Sequence, residues 1–337
     1  MSAPIRIGLL GVGRIGSLHA RLVAGEVAGL ALAGVFDVAG EYAERASREL
    51  GVEAARSAHE LMTGAGTDAI AICTSTATHV DLAVAAAATG KPIFLEKPVS
   101  LELTEVDRAL TAAEAAGSFL QVGFNRRFDP AHASVRAAIA SGEIGDLHLV
   151  RISSRDPEPP PLEYLRVSGG IFLDMTVHDF DMARFLTGSE VEEVYAVGDI
   201  RVDPAIGEIG DLDTAVVTMR HADRTLTTID NSRRAAYGFD QRVEAFGSAG
   251  MAASGNPLEH TGTVMTAAET RGRPLPHFFM ERYVPSYLAQ WTAFERAVRA
   301  GEPPPVSGRD GRAALVLGLA AWRSAREGRP VRTDEIG

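Results

Sequence analysis

The chain has 337 residues, enough for two domains at about 100–200 residues each. Its 46% apolar and 23% charged composition excludes the disordered, collagenous and coiled-coil classes. A net charge of −11 argues against a nucleic-acid or anionic-membrane surface and leaves a small molecule as the expected partner.

From residue 5 to 123, short apolar runs alternate with longer amphipathic stretches, the pattern of strand–helix–strand units in a parallel sheet. The runs predict strands over 5–10, 31–36, 69–73, 92–95 and 119–123, with helices over 15–24, 41–50, 80–88 and 103–116. Beyond Asn125 the texture changes to a helix over 131–140, a strand over 147–153, a proline-rich turn at 157–161 and a helix over 171–186. Strands over 194–198, 214–219, 225–230 and 242–246 follow in succession, and two helices, 287–300 and 311–327, close the chain. The expected fold is α/β: a doubly wound, Rossmann-type parallel sheet over 1–124, then an α+β domain over 125–337 with an open, mostly antiparallel sheet. Cys73 is the only cysteine, so no intramolecular disulfide or thiol-rich metal site is available. The apolar run in residues 1–10 is too short for a signal peptide or membrane span, which predicts a cytoplasmic protein.

Gly11, Val12, Gly13, Arg14, Ile15 and Gly16 spell Gly-x-Gly-x-x-Gly between the first strand and the first helix. The first glycine permits the turn, the second admits a pyrophosphate and the third lets helix pack on strand. Asp37 ends the second strand 21 residues beyond Gly16, where a carboxylate meets the adenosine ribose and disfavours a 2′-phosphate. No arginine adjoins Asp37, so NAD is expected over NADP, with Arg14 and Arg45 softening the preference. Thr74, Ser75, Thr76 and His79 follow the next strand and are candidates to line the cofactor site, His79 equally a candidate to cap a helix.

Of 33 basic residues only Lys91 and Lys97 are lysines. Glu96 and Lys97, followed by Pro98, lie just past the carboxyl end of a strand, the edge at which open α/β sheets bind ligands, and both are candidates to line the cofactor site. There an ammonium can stabilise the negative charge that grows on an alcohol oxygen as its proton leaves. Lys91, after Gly90, reads as an exposed turn residue. In the predicted helix over 171–186, Asp174, His178 and Asp181 can project from one side. An imidazole there can take the hydroxyl proton, and Asp174 can bind substrate or tune the histidine. Arg126 and Arg127 open the second domain, as a hinge anchor or a partner for a substrate hydroxyl, and Tyr237 and Tyr283 are candidates by type alone. Neither a His-Glu-x-x-His metal motif nor a Gly-x-Ser-x-Gly nucleophile elbow is present.

These motifs, with the stretch Gly123-Phe124-Asn125-Arg126-Arg127-Phe128-Asp129, resemble the glucose-fructose oxidoreductase/inositol dehydrogenase/rhizopine-catabolism family end to end. Ser154-Arg155-Asp156-Pro157, Ser168-Gly169-Gly170, the run from Leu173 to Asp181 and the run from Tyr237 to Arg242 are similar to its inositol-oxidising members. The resemblance implies NAD-dependent oxidation of a cyclic polyol, myo-inositol to 2-keto-myo-inositol, in inositol catabolism. It implies Lys97, Asp174 and His178 as the catalytic set, His178 as general acid/base, and Arg127, Asp156, Thr176 and Tyr237 as partners of substrate hydroxyls. It also implies a homotetramer whose open sheets pack face to face. Asn125, where related chains often carry methionine, and the Arg155-Asp156 loop bear on which polyol is taken. Another polyol or aldose dehydrogenase, a glycosidase that recycles bound NAD within each turnover, and a nucleotide-binding regulator are the alternatives.

Overall fold

A computed structural model describes residues 3–258 and 260–337. The chain divides into two compact units, one formed by residues 1–125 and 286–313, the other by 126–285 and 314–337. A single cut after residue 124, as expected from the sequence, leaves out this second crossing: helical periodicity locates a helix but not the core on which it packs.

The first unit holds β1 (Ile5–Leu10), α1 (Arg14–Gly25), β2 (Leu30–Phe36), α2 (Gly40–Leu50), β3 (Glu53–Ala54), α3 (Ala58–Thr63), β4 (Ala69–Ile72), α4 (Thr76–Ala87), β5 (Ile93–Leu95), α5 (Leu103–Ala115) and β6 (Leu120–Val122). All six strands are parallel, in the order β3-β2-β1-β4-β5-β6. This doubly wound order changes direction between β1 and β4, and ligands bind outside the carboxyl ends of strands at such a point. The last paired row across the sheet reads Phe36, Leu10, Ile72, Leu95, Val122. Asp37, Gly11, Cys73, Glu96 and Gly123 therefore stand one position beyond it. The strands are buried on both faces, as parallel strands between helices must be: Ile7, Leu9, Ile70, Ile72, Phe94 and Leu95 are at most 1% exposed. The short α3 was not legible in the sequence. It is a single turn and a half, capped by the Ser57 hydroxyl accepting the N–H of Glu60.

The second unit holds α6 (Pro130–Ala140), β7 (Leu147–Arg155), α7 (Leu162–Leu165), α8 (Ile171–Asp174), α9 (Val177–Thr187), β8 (Val191–Asp199), α10 (Pro204–Glu208), β9 (Thr214–His221), β10 (Leu226–Ser232), β11 (Asp240–Gly247), β12 (Met251–Ser254), the hairpin β13 (Val264–Met265) and β14 (Thr270–Arg271), and β15 (Val331–Arg332). Helices α11 (Phe279–Ala300) and α12 (Gly308–Glu327) are each shared between the units, α11 dividing at its internal proline, Pro285. Seven strands form one sheet, β12-β11-β7-β10-β9-β8-β15, antiparallel except for the β7–β10 pair. Side chains alternate between its faces with the strand period of two. Val150, Ile152, Ala215, Val217, Ile229 and Val243 pack with Val135 of α6, Phe180, Met182 and Leu186 of α9, and Leu317 of α12. Each of these buried side chains larger than alanine contributes about 1.5–3 kcal/mol. The opposite face is open: Val216, Leu226 and Phe246 are about half exposed.

One expected element is divided. The period over 171–186 is continuous, yet the hydrogen bonds are not: the N–H of Thr176 reaches back five residues to Ile171 (2.9 Å), while those of His178 and Asp179 reach back only three, to Met175 and Thr176. A wide turn followed by a tight one separates α8 from α9, so Asp174 ends one helix, His178 lies in the first turn of the next, and the single helical face is replaced by two. No helix among the described residues is long and apolar enough to cross a membrane.

Candidate active site

In the first unit, Gly11 adopts φ +85°, and a Cβ there would meet main-chain atoms of Cys73 and Thr74 at 2.7 Å. At Gly16 a Cβ would lie 1.9 Å from the Gly11 carbonyl oxygen, so only glycine lets α1 start this close to β1. Gly13 is different: nothing lies within 4 Å of a Cβ built on it. It is the N-cap of α1 and offers no side-chain cap, so the first N–H groups of the helix are left for an anion. Arg14 is exposed at the first helical position, Ile15 follows it, and Val12 is buried below. Asp37 takes the N–H of Val12 on Oδ2 (2.8 Å) and that of Ala39 on Oδ1 (2.9 Å). It thus ties the glycine loop to the end of β2 and retains acceptor capacity for a ribose diol. Open space at Gly13, an uncapped helix and a carboxylate at the neighbouring strand end fit a dinucleotide.

Thr74, Ser75 and Thr76 form the turn from β4 into α4, where the Thr78 hydroxyl donates to Thr74 Oγ1 (2.7 Å) and Ser75 is an N-cap without a side-chain cap bond. His79 is buried, with Nδ1 on the Pro98 carbonyl (2.8 Å) and Nε2 on that of Thr74 (3.1 Å). Each ring nitrogen lies against a main-chain carbonyl, of which the neutral ring donates to one, so the ring braces the ends of β4 and β5, and burial pulls its pKa down. Burial pushes the Cys73 thiol up, which leaves it protonated and inert. Lys97 is half-buried at the turn beyond β5. The Glu96 carboxylate, expected toward a cofactor, is 6% exposed and lies on His19. Lys91 is not an exposed turn residue: its ammonium donates to the carbonyls of Met62 (2.7 Å) and Gly64 (3.0 Å), closing the carboxyl end of α3. A helix absent from the sequence reading supplied the acceptors.

In the second unit, Asp174 is held from two sides. Tyr164 donates its hydroxyl to Oδ1 (2.7 Å) and Arg233 its Nη1 to Oδ2 (3.2 Å). Arg233 is fully buried and also reaches Asp211 (3.3 Å), whose Oδ1 accepts the N–H of Ile171 (2.8 Å) at the start of α8. Asp156, at the end of β7, is half-buried; burial, reinforced by the Asp174 charge and opposed by Arg233, pushes its carboxyl up to about 6. His178 is half-buried in the first turn of α9. Beneath these lies a buried polar row: Ser154 pairs in register with Asn231 and Gln241. Asp179 accepts from Arg126 (2.7 Å), Ser154 (2.5 Å) and Asn231 (2.8 Å), and the Thr176 hydroxyl, expected on substrate, lies 2.6 Å from Asn231 Oδ1 with no exposed surface.

Arg127 grips Asp181 through Nε (2.8 Å) and Nη2 (2.5 Å), a bidentate pair that fixes the guanidinium plane. Tyr237 is half exposed, but its hydroxyl donates to Asp240 (2.6 Å) and accepts from Arg155 (2.9 Å). Tyr283 lies on α11 at 2% exposure, its hydroxyl without a hydrogen-bond partner among the described residues and pushed up to about 12 by burial. Tyr164, Asp179, Asp211, Asn231 and Arg233 went unselected in the sequence. Asp179 lies inside a quoted motif, but nothing in the spacing singles out Arg233 or Asp211, which meet Asp174 only through the tertiary fold. Among the described residues, no group of three or more His, Cys, Asp or Glu side chains could hold a metal ion.

A parallel sheet with a glycine loop at its switch point, an acid at the end of the neighbouring strand and a lysine at the carboxyl edge, together with an open-sheet unit rich in ordered carboxylates, defines the class as a Rossmann-type oxidoreductase. Residues 5–124 match the oxidoreductase family with an NAD-binding Rossmann fold, and residues 132–253 match the GFO/IDH/MocA C-terminal domain. The chain belongs to the GFO/IDH/MocA family. It is 47% identical to the myo-inositol 2-dehydrogenase of Thermotoga maritima over 98% of this chain and 99% of that one. It is 44% identical to the inositol 2-dehydrogenase of Rhizobium meliloti over 97% and 98%. The crystal structure of scyllo-inositol dehydrogenase from Lactobacillus casei with bound NAD(H) and scyllo-inositol superposes with a TM-score of 0.91 at 29% identity, covering 98% of this chain and 99% of that one.

Proposed function

We propose that the protein is an NAD-dependent inositol 2-dehydrogenase that oxidises myo-inositol to 2-keto-myo-inositol. The observation that carries this is the 47% identity, over nearly the whole of both chains, to a myo-inositol 2-dehydrogenase. The cofactor supplies the hydride acceptor. Its pyrophosphate belongs at Gly13 and the uncapped start of α1, and its adenosine ribose at Asp37.

His178 takes the proton of the reacting hydroxyl while the hydride leaves the same carbon, and the Lys97 ammonium stabilises the alkoxide as it forms. One C–H and one O–H bond break, a carbonyl forms, and the proton resides on the imidazole. Asp174, with both oxygens already anchored by Tyr164 and Arg233, has a fixed orientation in which to bind a polyol hydroxyl. Asp156 and the Tyr283 hydroxyl are further partners, whereas Arg127, Thr176 and Tyr237 act in the first instance by holding Asp181, Asn231 and Asp240. The enzyme is cytoplasmic and works as a homotetramer: the open sheet face, with Val216, Leu226, Phe246 and Met251 among charged neighbours, is suited to a second copy of itself. A monomeric mass by light scattering would overturn the assembly.

The direct test is a panel of inositol isomers and aldoses with NAD and with NADP, reading reduced nicotinamide. Myo-inositol with NAD should give the highest kcat/KM. A folded sample that reduces neither cofactor with any polyol contradicts the proposal, and cleavage of a glycoside without net reduction assigns the NAD-recycling glycosidase instead.

A further inference from the structure

Within the first unit a line of hydrogen bonds runs from the core to the main chain of Lys97. Trp291 donates its indole N–H to Nδ1 of His19 (2.9 Å). An indole nitrogen can only donate, so Nδ1 is unprotonated and the ring carries its proton on Nε2. Nε2 lies 2.8 Å from Glu96 Oε1, which accepts it. The other carboxylate oxygen, Oε2, accepts the N–H of Lys97 at 3.1 Å. His19 and Trp291 have no exposed surface and Glu96 only 6%.

The surroundings are built for this arrangement. The His19 ring meets Phe94, Tyr287 and Trp291 edge-on at centroid distances of 5.2, 5.3 and 5.7 Å, and Phe94 stacks on Trp291 at 4.4 Å. Three aromatic rings thus flank the imidazole. A Cβ at Gly123 would lie 2.8 Å from Glu96 Oε1, so the glycine at the end of β6 keeps the space that the carboxylate fills. A buried carboxylate is costly unless its oxygens are satisfied, and here one hydrogen bond from each side fixes both.

We propose that Trp291 and His19 are positioning residues for the reaction: Trp291 fixes the tautomer of His19, whose Nε2–H orients the Glu96 carboxylate, which in turn fixes the Glu96–Lys97 peptide and the direction in which the Lys97 side chain leaves it. This rests on the assignment of Lys97 to the substrate hydroxyl. A misplacement of about 1 Å at a reacting group costs on the order of 100-fold in rate, so a relay that acts only through the main chain still bears on kcat.

The experiment compares Trp291→Phe, His19→Ala, His19→Gln, Gly123→Ala and Lys97→Arg in kcat, polyol KM and NAD dissociation constant, on samples with a confirmed cooperative melt. Trp291→Phe keeps the stack on Phe94 and removes one donor, worth about fivefold as a neutral hydrogen bond. Its kcat should fall by about that factor, with NAD affinity within twofold of the parent. His19→Ala and Gly123→Ala should lose more, and His19→Gln, whose amide can still donate to Glu96, should recover most of what His19→Ala loses. Parental kcat in both Trp291→Phe and His19→Ala overturns the relay, as does a loss that appears equally in NAD affinity or that glutamine fails to rescue. Parental activity in Lys97→Arg overturns the assignment beneath it instead.

Discussion

Asp37→Ala separates the observed bracing role of Asp37 from the cofactor selection proposed for it. Its carboxylate accepts the N–H groups of Val12 and Ala39 at 2.8 and 2.9 Å, which fixes the glycine loop against the end of β2. Hydrogen bonds to a charged acceptor are worth about 1.5–3 kcal/mol each when buried; for this half-buried side chain about 2–3 kcal/mol for the pair is the appropriate scale. At 1.4 kcal/mol per tenfold, that predicts an NAD KM raised roughly 30- to 150-fold. The same loss of loop order weakens NADP, but the 2′-phosphate no longer faces a carboxylate. Two unit charges about 4 Å apart repel by about 4 kcal/mol at an effective dielectric of 20, and relief of even half of that offsets the weakened loop. The preference for NAD over NADP, measured as the ratio of kcat/KM values from initial rates, should therefore collapse by at least tenfold. If both cofactors weaken equally, Asp37 braces the loop and selects nothing. If neither weakens, its placement at the ribose is wrong.

Asp156→Asn tests the polar half of the site. Because burial holds the Asp156 pKa at about 6, above the unfolded value near 4, the fold disfavours its ionised form, and stability rises as pH falls from about 6 towards 4. The asparagine variant should melt higher than the parent at pH 7 and equally at pH 4; the reverse order excludes the raised value. In turnover, the polyol KM of the parent should rise as pH drops through about 6, and that limb should be absent in the variant. Lys91→Ala removes two bonds to the end of α3 and should cost about 1–2 kcal/mol in chemical denaturation while leaving kcat at the parental value. A comparable loss of kcat would place Lys91 in the reaction, against its position.

The parallel-sheet frame with its glycine loop was largely legible because its signals are local. A glycine with positive φ, a strand that ends in an acid and a helix without a side-chain cap are consecutive in sequence, and their spacing is set by the geometry of one β–α–β unit. The polar half was legible in its residue types but not in its partners. Asp174 and His178 were singled out by a spacing of four, yet the intervening hydrogen bonds change register, which periodicity cannot register. Arg233, buried between Asp174 and Asp211, looks in sequence like one more arginine after a strand, in a chain with only two lysines. Lys91 shows the same limit from the other side: its acceptors belong to a helix too short to leave a hydrophobic period. The return of residues 286–313 to the first unit depends on contacts such as Trp291 with His19, which no local pattern encodes.

The central claim is that a hydride leaves a ring carbon of the polyol for the nicotinamide while His178 receives the hydroxyl proton. Myo-inositol deuterated at C2, incubated with NAD, tests it most directly. The prediction is one deuteron in each reduced nicotinamide, matched by one equivalent of the 2-keto product. Ketone or other product formed with unlabelled nicotinamide, or with none reduced, would contradict it.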